Sequence, residues 1–183
     1  MLYLICAAAA ALIIAADRLT KLWVVSAAEV GETIAGIPLF DFTYIQNKGA
    51  AFSMMSGRLG ILSFVSLAVC AAVIAFFIIK RPKNRLLCAS LALIFAGGLG
   101  NAWDRLVYGY VVDFIETTFI DFPVFNIADI AITTGAALLI IYEVFFDSDT
   151  KKKNAEQKNA PADKEGENNG RDNNNADGIG QAR

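Results

Sequence analysis

The chain has 183 residues, of which 56% are hydrophobic, and its mean hydropathy of +0.48 is too high for an ordinary water-soluble domain. Sixteen Lys and Arg against eighteen Asp and Glu give a net charge of −2, which hides an uneven distribution, with polar residues gathered in short loops and the last thirty-odd positions, and so says little about partners. There is no histidine, which removes the Ser-His-Asp triad, the usual neutral-pH base and the commonest metal ligand together.

The elements follow in order. Leu2 to Ala16 is continuously apolar and, carried on through Val25, reaches the length of a membrane span. A cleaved signal peptide is the competing reading. The absence of a basic stretch before it, and the three further spans after it, favour a retained helix. Asp17 and Lys21 are four residues apart on this helix, so they share a face and can pair, either to lock the helix end or to brace a site. Residues 26–57 form a polar-to-mixed loop in which Phe40, Phe42, Tyr44 and Ile45 alternate as in short strands. Asn47-Lys48-Gly49 taken alone is a turn signal. Leu59 to Ile79 is a second span, and Lys80-Arg81-Pro82-Lys83-Asn84-Arg85 a tight basic loop. A third span begins at Leu86 and runs to about Val107, and a fourth covers Ile130 to Phe146, followed at once by Lys151-Lys152-Lys153. Cys6, Cys70 and Cys88 all fall in apolar segments, at spacings of neither a zinc site nor a redox pair, and read as packing residues.

Basic residues mark the cytoplasmic side, so four spans place both termini there and turn the loops at 26–57 and 108–127 outward. The fold class expected is therefore a membrane all-α protein of four transmembrane helices with a small extracytoplasmic β-rich region. Its domain is residues 1–147, and 148–183, rich in Asn, Lys, Asp and Glu, is a disordered hydrophilic cytoplasmic tail.

Polar residues then need explaining, because they are costly at a membrane. Asn101, Asp104, Arg105, Asp113, Asn126 and Asp129 all fall near the outer ends of spans. Without histidine, two carboxylates held in a poorly solvated pocket can share one proton, one acting as acid while the other activates water. Asp113 lies in an apolar, extended-looking stretch, and Asp129 opens the fourth span three residues after Asn126, a potential helix cap. An alternative role for Asp129 is a first-turn carboxylate that favours the helix dipole. Asn101, Asp104 and Arg105 share a helix face, with Arg105 expected to hold Asp104 ionised. On spacing alone, a pairing of Asp113 with Asp129 and one that uses Asp104 stay equally open. A transporter with its charges near the midplane and a non-enzymatic scaffold are the competing classes.

Five ordered motifs narrow this: Asp17-Arg18-Leu19-Thr20-Lys21, Asn47-Lys48-Gly49-Ala50-Ala51-Phe52-Ser53, Gly100-Asn101-Ala102-Trp103-Asp104-Arg105, Gly109-Tyr110-Val111-Val112-Asp113-Phe114-Ile115 and Phe125-Asn126-Ile127-Ala128-Asp129. With them, positions 1–147 resemble the bacterial lipoprotein signal peptidases, the type II signal peptidases. The resemblance implies an aspartic endopeptidase of the bacterial inner membrane, with its site near the outer leaflet. It would cut prolipoproteins on the N-terminal side of a diacylglyceryl-modified Cys. By motif match, Asp113 and Asp129 would be the catalytic dyad; Asn47, Asn101, Arg105 and Asn126 would position substrate or dyad; and Asp17, Lys21 and Asp104 would hold the surrounding polar network. No dyad position departs from the family pattern. The expected partners are the lipidated precursor and membrane lipid, with no nucleic acid, no metal or cofactor, and a monomeric working unit.

Overall fold

A computed structural model describes residues 1–49 and 59–147. Ala50 to Ser53 of the second motif and the hydrophilic tail lie outside the described residues. Four helices dominate: α1 (Leu2–Ala27), α2 (Leu59–Lys80), α3 (Arg85–Tyr108) and α4 (Ile127–Tyr142), the last continued by a π-helical turn over Glu143–Asp147. Each is long and apolar enough to cross a membrane. Three strands, β1 (Thr33–Ile37), β2 (Phe40–Asn47) and β3 (Val111–Thr117), form an antiparallel sheet in the order β1-β2-β3. The fourth helix starts earlier than its hydropathy suggests, at Ile127, because Asn126 caps it.

The bundle is built around α3, against which α1, α2 and α4 all pack. Small residues make this close approach possible. A Cβ on Gly97 would overlap the carbonyl oxygen of Ala128, and one on Gly135 would sit 2.7 Å from that of Ser90. Asn84 caps the start of α3, its side chain accepting from the amides of Leu86 and Leu87. At the other end Gly109, with φ of 74°, takes the left-handed conformation that ends the helix and turns the chain into β3.

The sheet has two faces with different duties. Tyr44, Val112 and Phe114 pack on Val24 of α1 as a small apolar core. In the β2–β3 register Asn47 lies opposite Val111 and Ile45 opposite Asp113, so Asn47 and Asp113 are diagonal neighbours on the other face. Phe125 pairs with Ile115 and draws the start of α4 against β3. All three cysteines are buried and unbridged, as packing residues should be.

Candidate active site

Asn126 is where the site is put together. It is completely buried, and its Nδ2 donates to Asp113 Oδ1 at 2.6 Å and also reaches the carbonyl of Val112 and Oδ1 of Asn101. Its own Oδ1 accepts from the Asp129 amide at 3.0 Å, while Asp129 Oδ2 accepts from the Asn126 amide at 3.2 Å. That reciprocal pair is a capping box, so the residues that start α4 are the same ones that orient two carboxylates. Asp113 Oδ2 takes a second hydrogen bond from Asn47 Nδ2 at 2.8 Å, and Asp129 Oδ1 takes one from Asn101 Nδ2 at 2.7 Å. Asn47 in turn accepts from the Gly49 amide, so the turn signal read from the sequence is real and aims the side chain.

Both carboxylates line one cavity of about 460 Å³, with Asn47, Asn101 and Arg105 beside them and Phe122, Val124 and Ile130 among its apolar walls. Asp113 is 2% exposed, and its carboxyl is raised to about 7, first by burial and then by the negative charge of Asp129; the bonds from Asn47 and Asn126 oppose that rise. A carboxyl that titrates near neutrality can exchange a proton at working pH. Among the described residues the buried Nε of Arg105 has no hydrogen-bond partner, and the residue lines the cavity.

Behind the pair lies a second polar layer. Lys21 Nζ donates to Asp17 Oδ2 at 2.9 Å, to Asp104 Oδ2 at 2.9 Å and to Asn101 Oδ1 at 3.1 Å, which uses all three of its protons. Asp17 Oδ1 accepts from the Ala128 amide at 3.0 Å, and Gly100 leaves room for that carboxylate. Asp104 Oδ1 is paired with Arg18 Nη1 at 2.6 Å, and Arg18 continues to the Tyr108 hydroxyl.

These groups come from α1, α3, α4, β2 and β3, and the chain that carries them is similar to known enzymes. The family model described as signal peptidase (SPase) II matches residues 9–145. The lipoprotein signal peptidase of Clostridium acetobutylicum is 41% identical over 138 residues, covering 72% of this chain and 88% of the relative. That of Lactobacillus johnsonii is 42% identical, covering 73% and 88%. The chain belongs to the signal peptidase II family. A solved structure described as a bacterial membrane enzyme superposes with a TM-score of 0.72 at 31% identity, over 87% of this chain and 94% of that one. A second has a TM-score of 0.71 at 33% identity, over 77% and 93%. As a signal peptidase II the chain is a protease, and its four helices make it a multi-pass membrane protein.

Within this signal peptidase II fold, every candidate site residue read from the sequence falls in one connected region. Asn47, Asn101, Arg105, Asp113 and Asp129 line the cavity, Asn126 ties its two carboxylates together, and Asp17, Lys21 and Asp104 form the layer behind. One expectation needs correcting. The hydrogen-bonded cations on Asp104 are Lys21 and Arg18, from a different helix, and not its sequence neighbour Arg105. Successive residues on a helix point about 100° apart, so Arg105 turns to the cavity while Asp104 turns to α1. Arg18 was not among the expected site residues. Its signal was a third charge within the five residues 17–21 of an otherwise apolar helix.

Proposed function

We propose that Asp113 and Asp129 are the catalytic dyad of this peptidase, sharing one proton. The enzyme removes signal peptides from prolipoproteins. The single observation that carries the assignment is that one side chain, Asn126, bonds Asp113 and caps the turn that holds Asp129, so that both carboxylates face the same cavity. The ionised member takes a proton from water as its oxygen attacks the scissile carbonyl, and the protonated member donates to the carbonyl oxygen. When the tetrahedral intermediate collapses, the C–N bond breaks, the proton held by the base passes to the departing nitrogen, and the carboxylate that had donated takes a proton back from the hydroxyl, which restores the shared proton.

The bond cut is the one on the N-terminal side of a diacylglyceryl-modified Cys. The apolar cavity wall of Phe122, Val124 and Ile130 suits such a lipidated residue, and Arg105 supplies a cation for a substrate carbonyl. The site lies at the outer leaflet of the bacterial inner membrane, because the α2–α3 loop carries Lys80, Arg81, Lys83 and Arg85 and therefore stays cytoplasmic, as do both termini. Residues 1–147 are the peptidase unit, and a single copy provides every group named, so the working unit is a monomer.

The test is processing of a diacylglyceryl-modified prolipoprotein by purified protein, comparing Asp113→Asn, Asp129→Asn and Asp104→Asn. Both dyad variants should be folded and inactive. A dead Asp104→Asn beside an active Asp113→Asn would assign the wrong partner, and equal cleavage of unlipidated precursor would sink the substrate assignment.

A further inference from the structure

At the end of the bundle away from the dyad, α1 and α2 both lean on α3 and hardly touch each other. Between them runs a second cavity of about 520 Å³, floored by Ala92 and Phe95 and walled by Ala7, Ala11, Ile74 and Phe77. Its lining is apolar apart from Tyr3, whose ring meets Phe77 edge-on and whose hydroxyl donates to the Pro82 carbonyl at 3.0 Å. That bond ties the mouth of the groove to the loop Lys80-Arg81-Pro82-Lys83-Asn84-Arg85, where all four cations are exposed and no carboxylate is present. Among the described residues, the acidic ones at this end, Glu143 and Asp147, sit on the continuation of α4, which contributes nothing to the groove.

We propose that this groove and loop form a binding site for an anionic phospholipid, with one acyl chain between α1 and α2 and the phosphate on the Lys80, Lys83 and Arg85 cations. Length and charge together select this occupant. From Tyr3 to Ile14 the groove follows α1 for ~16 Å, about half of a hydrocarbon core of ~30 Å, which is the depth of one leaflet. A spanning helix would leave half its length uncovered. Charge excludes two further candidates: a second copy would bring the same four cations, and the n-region of a signal peptide is itself basic. The last point rests on the orientation proposed above; the lipid site does not. A phosphate at the mouth meets several cations, each adding attraction near the membrane surface.

The experiment is native mass spectrometry of the full chain released from mixed micelles containing equal amounts of phosphatidylglycerol and phosphatidylcholine with identical acyl chains. Three proteins are compared: the parent, the triple variant Lys80→Gln/Lys83→Gln/Arg85→Gln, and Ala11→Trp, which fills the groove from an exposed position. The parent should retain phosphatidylglycerol on the order of tenfold over phosphatidylcholine. The triple variant should lose that preference, and Ala11→Trp should lose retention of both lipids, while both variants still process precursor and so are folded. Equal retention by the parent, or an unchanged preference in either variant, overturns the site. So does photocrosslinking from position 7 to precursor or to a second copy instead of lipid.

Discussion

Replacing Lys21 by Met tests whether the layer behind the two cavity carboxylates is held by one ammonium. Lys21 is 1% exposed at its side chain, and Asp17 and Asp104, its two anionic partners, are 3% and 0% exposed. With Arg18 the cluster contains two cations and two anions, so its charge is balanced. Met has a similar shape and leaves one buried carboxylate uncompensated. Breaking a buried pair in this way costs about 3–5 kcal/mol, far above what a surface pair is worth. Asn101 also loses one of the two donors at its Oδ1, keeping the Nδ2 of Asn126, and with it part of the constraint that aims its own Nδ2 at Asp129. Thermal unfolding in detergent, followed by circular dichroism, should therefore shift down by roughly 10 °C. Processing per folded molecule should fall as well. A second substitution, Asp17→Asn, restores balance while keeping an oxygen for the Ala128 amide, and should recover on the order of 2 kcal/mol. A single variant within about 1 kcal/mol of the parent, or a double variant less stable than the single, would refute the argument.

Asp113 makes stability depend on pH with a definite sign. Its carboxyl is raised from 3.8 to about 7 in the folded chain, so between those values the folded state holds a proton that the unfolded state has lost. Its contribution is thus complete below about 4 and declines as pH rises through 7, by an amount on the order of 4 kcal/mol. Melting temperatures of parent and Asp113→Asn between pH 5 and 8 check this: the parent should fall more steeply than the variant, and the reverse ordering would count against it. Gly97→Ala should destabilise by about 1–3 kcal/mol and lower activity, because the new methyl meets the Ala128 backbone one residue before Asp129. Gly60→Ala, with nothing within 4 Å among the described residues, is the control and should be neutral or slightly stabilising in the same denaturation series.

The helices were legible because hydropathy over ~20 residues is a strong, local signal, and the capped start at Asn126 was visible as Asn three residues before Asp. The sheet was only partly so. The alternation at 40–45 marks part of β2, but β1, with most of its residues exposed, has no apolar face to announce it. The extended stretch around Asp113 was readable, whereas its partners were not: the diagonal to Asn47 depends on a bulge between Phe42 and Ile45 that pairwise spacing does not encode. The Asp17–Lys21 pair follows from i, i+4 spacing, yet the third and fourth members of its cluster come from α3 and from the neighbouring residue Arg18. Spacing along one helix predicts contacts on that helix. Which face meets which across the bundle is set by where Gly97, Gly100 and Gly135 allow close approach.

The bond from Asp17 to the Ala128 amide joins residues 111 positions apart, the first helix to the first turn of the last. During synthesis, a chain that has delivered only three helices therefore has Asp113 without Asn126, without Asp129 and without the helix start that Asp17 would receive. On the dyad proposed above, an unfinished or truncated copy holds one carboxylate of the pair, and the second arrives with the helix that Asp17 receives.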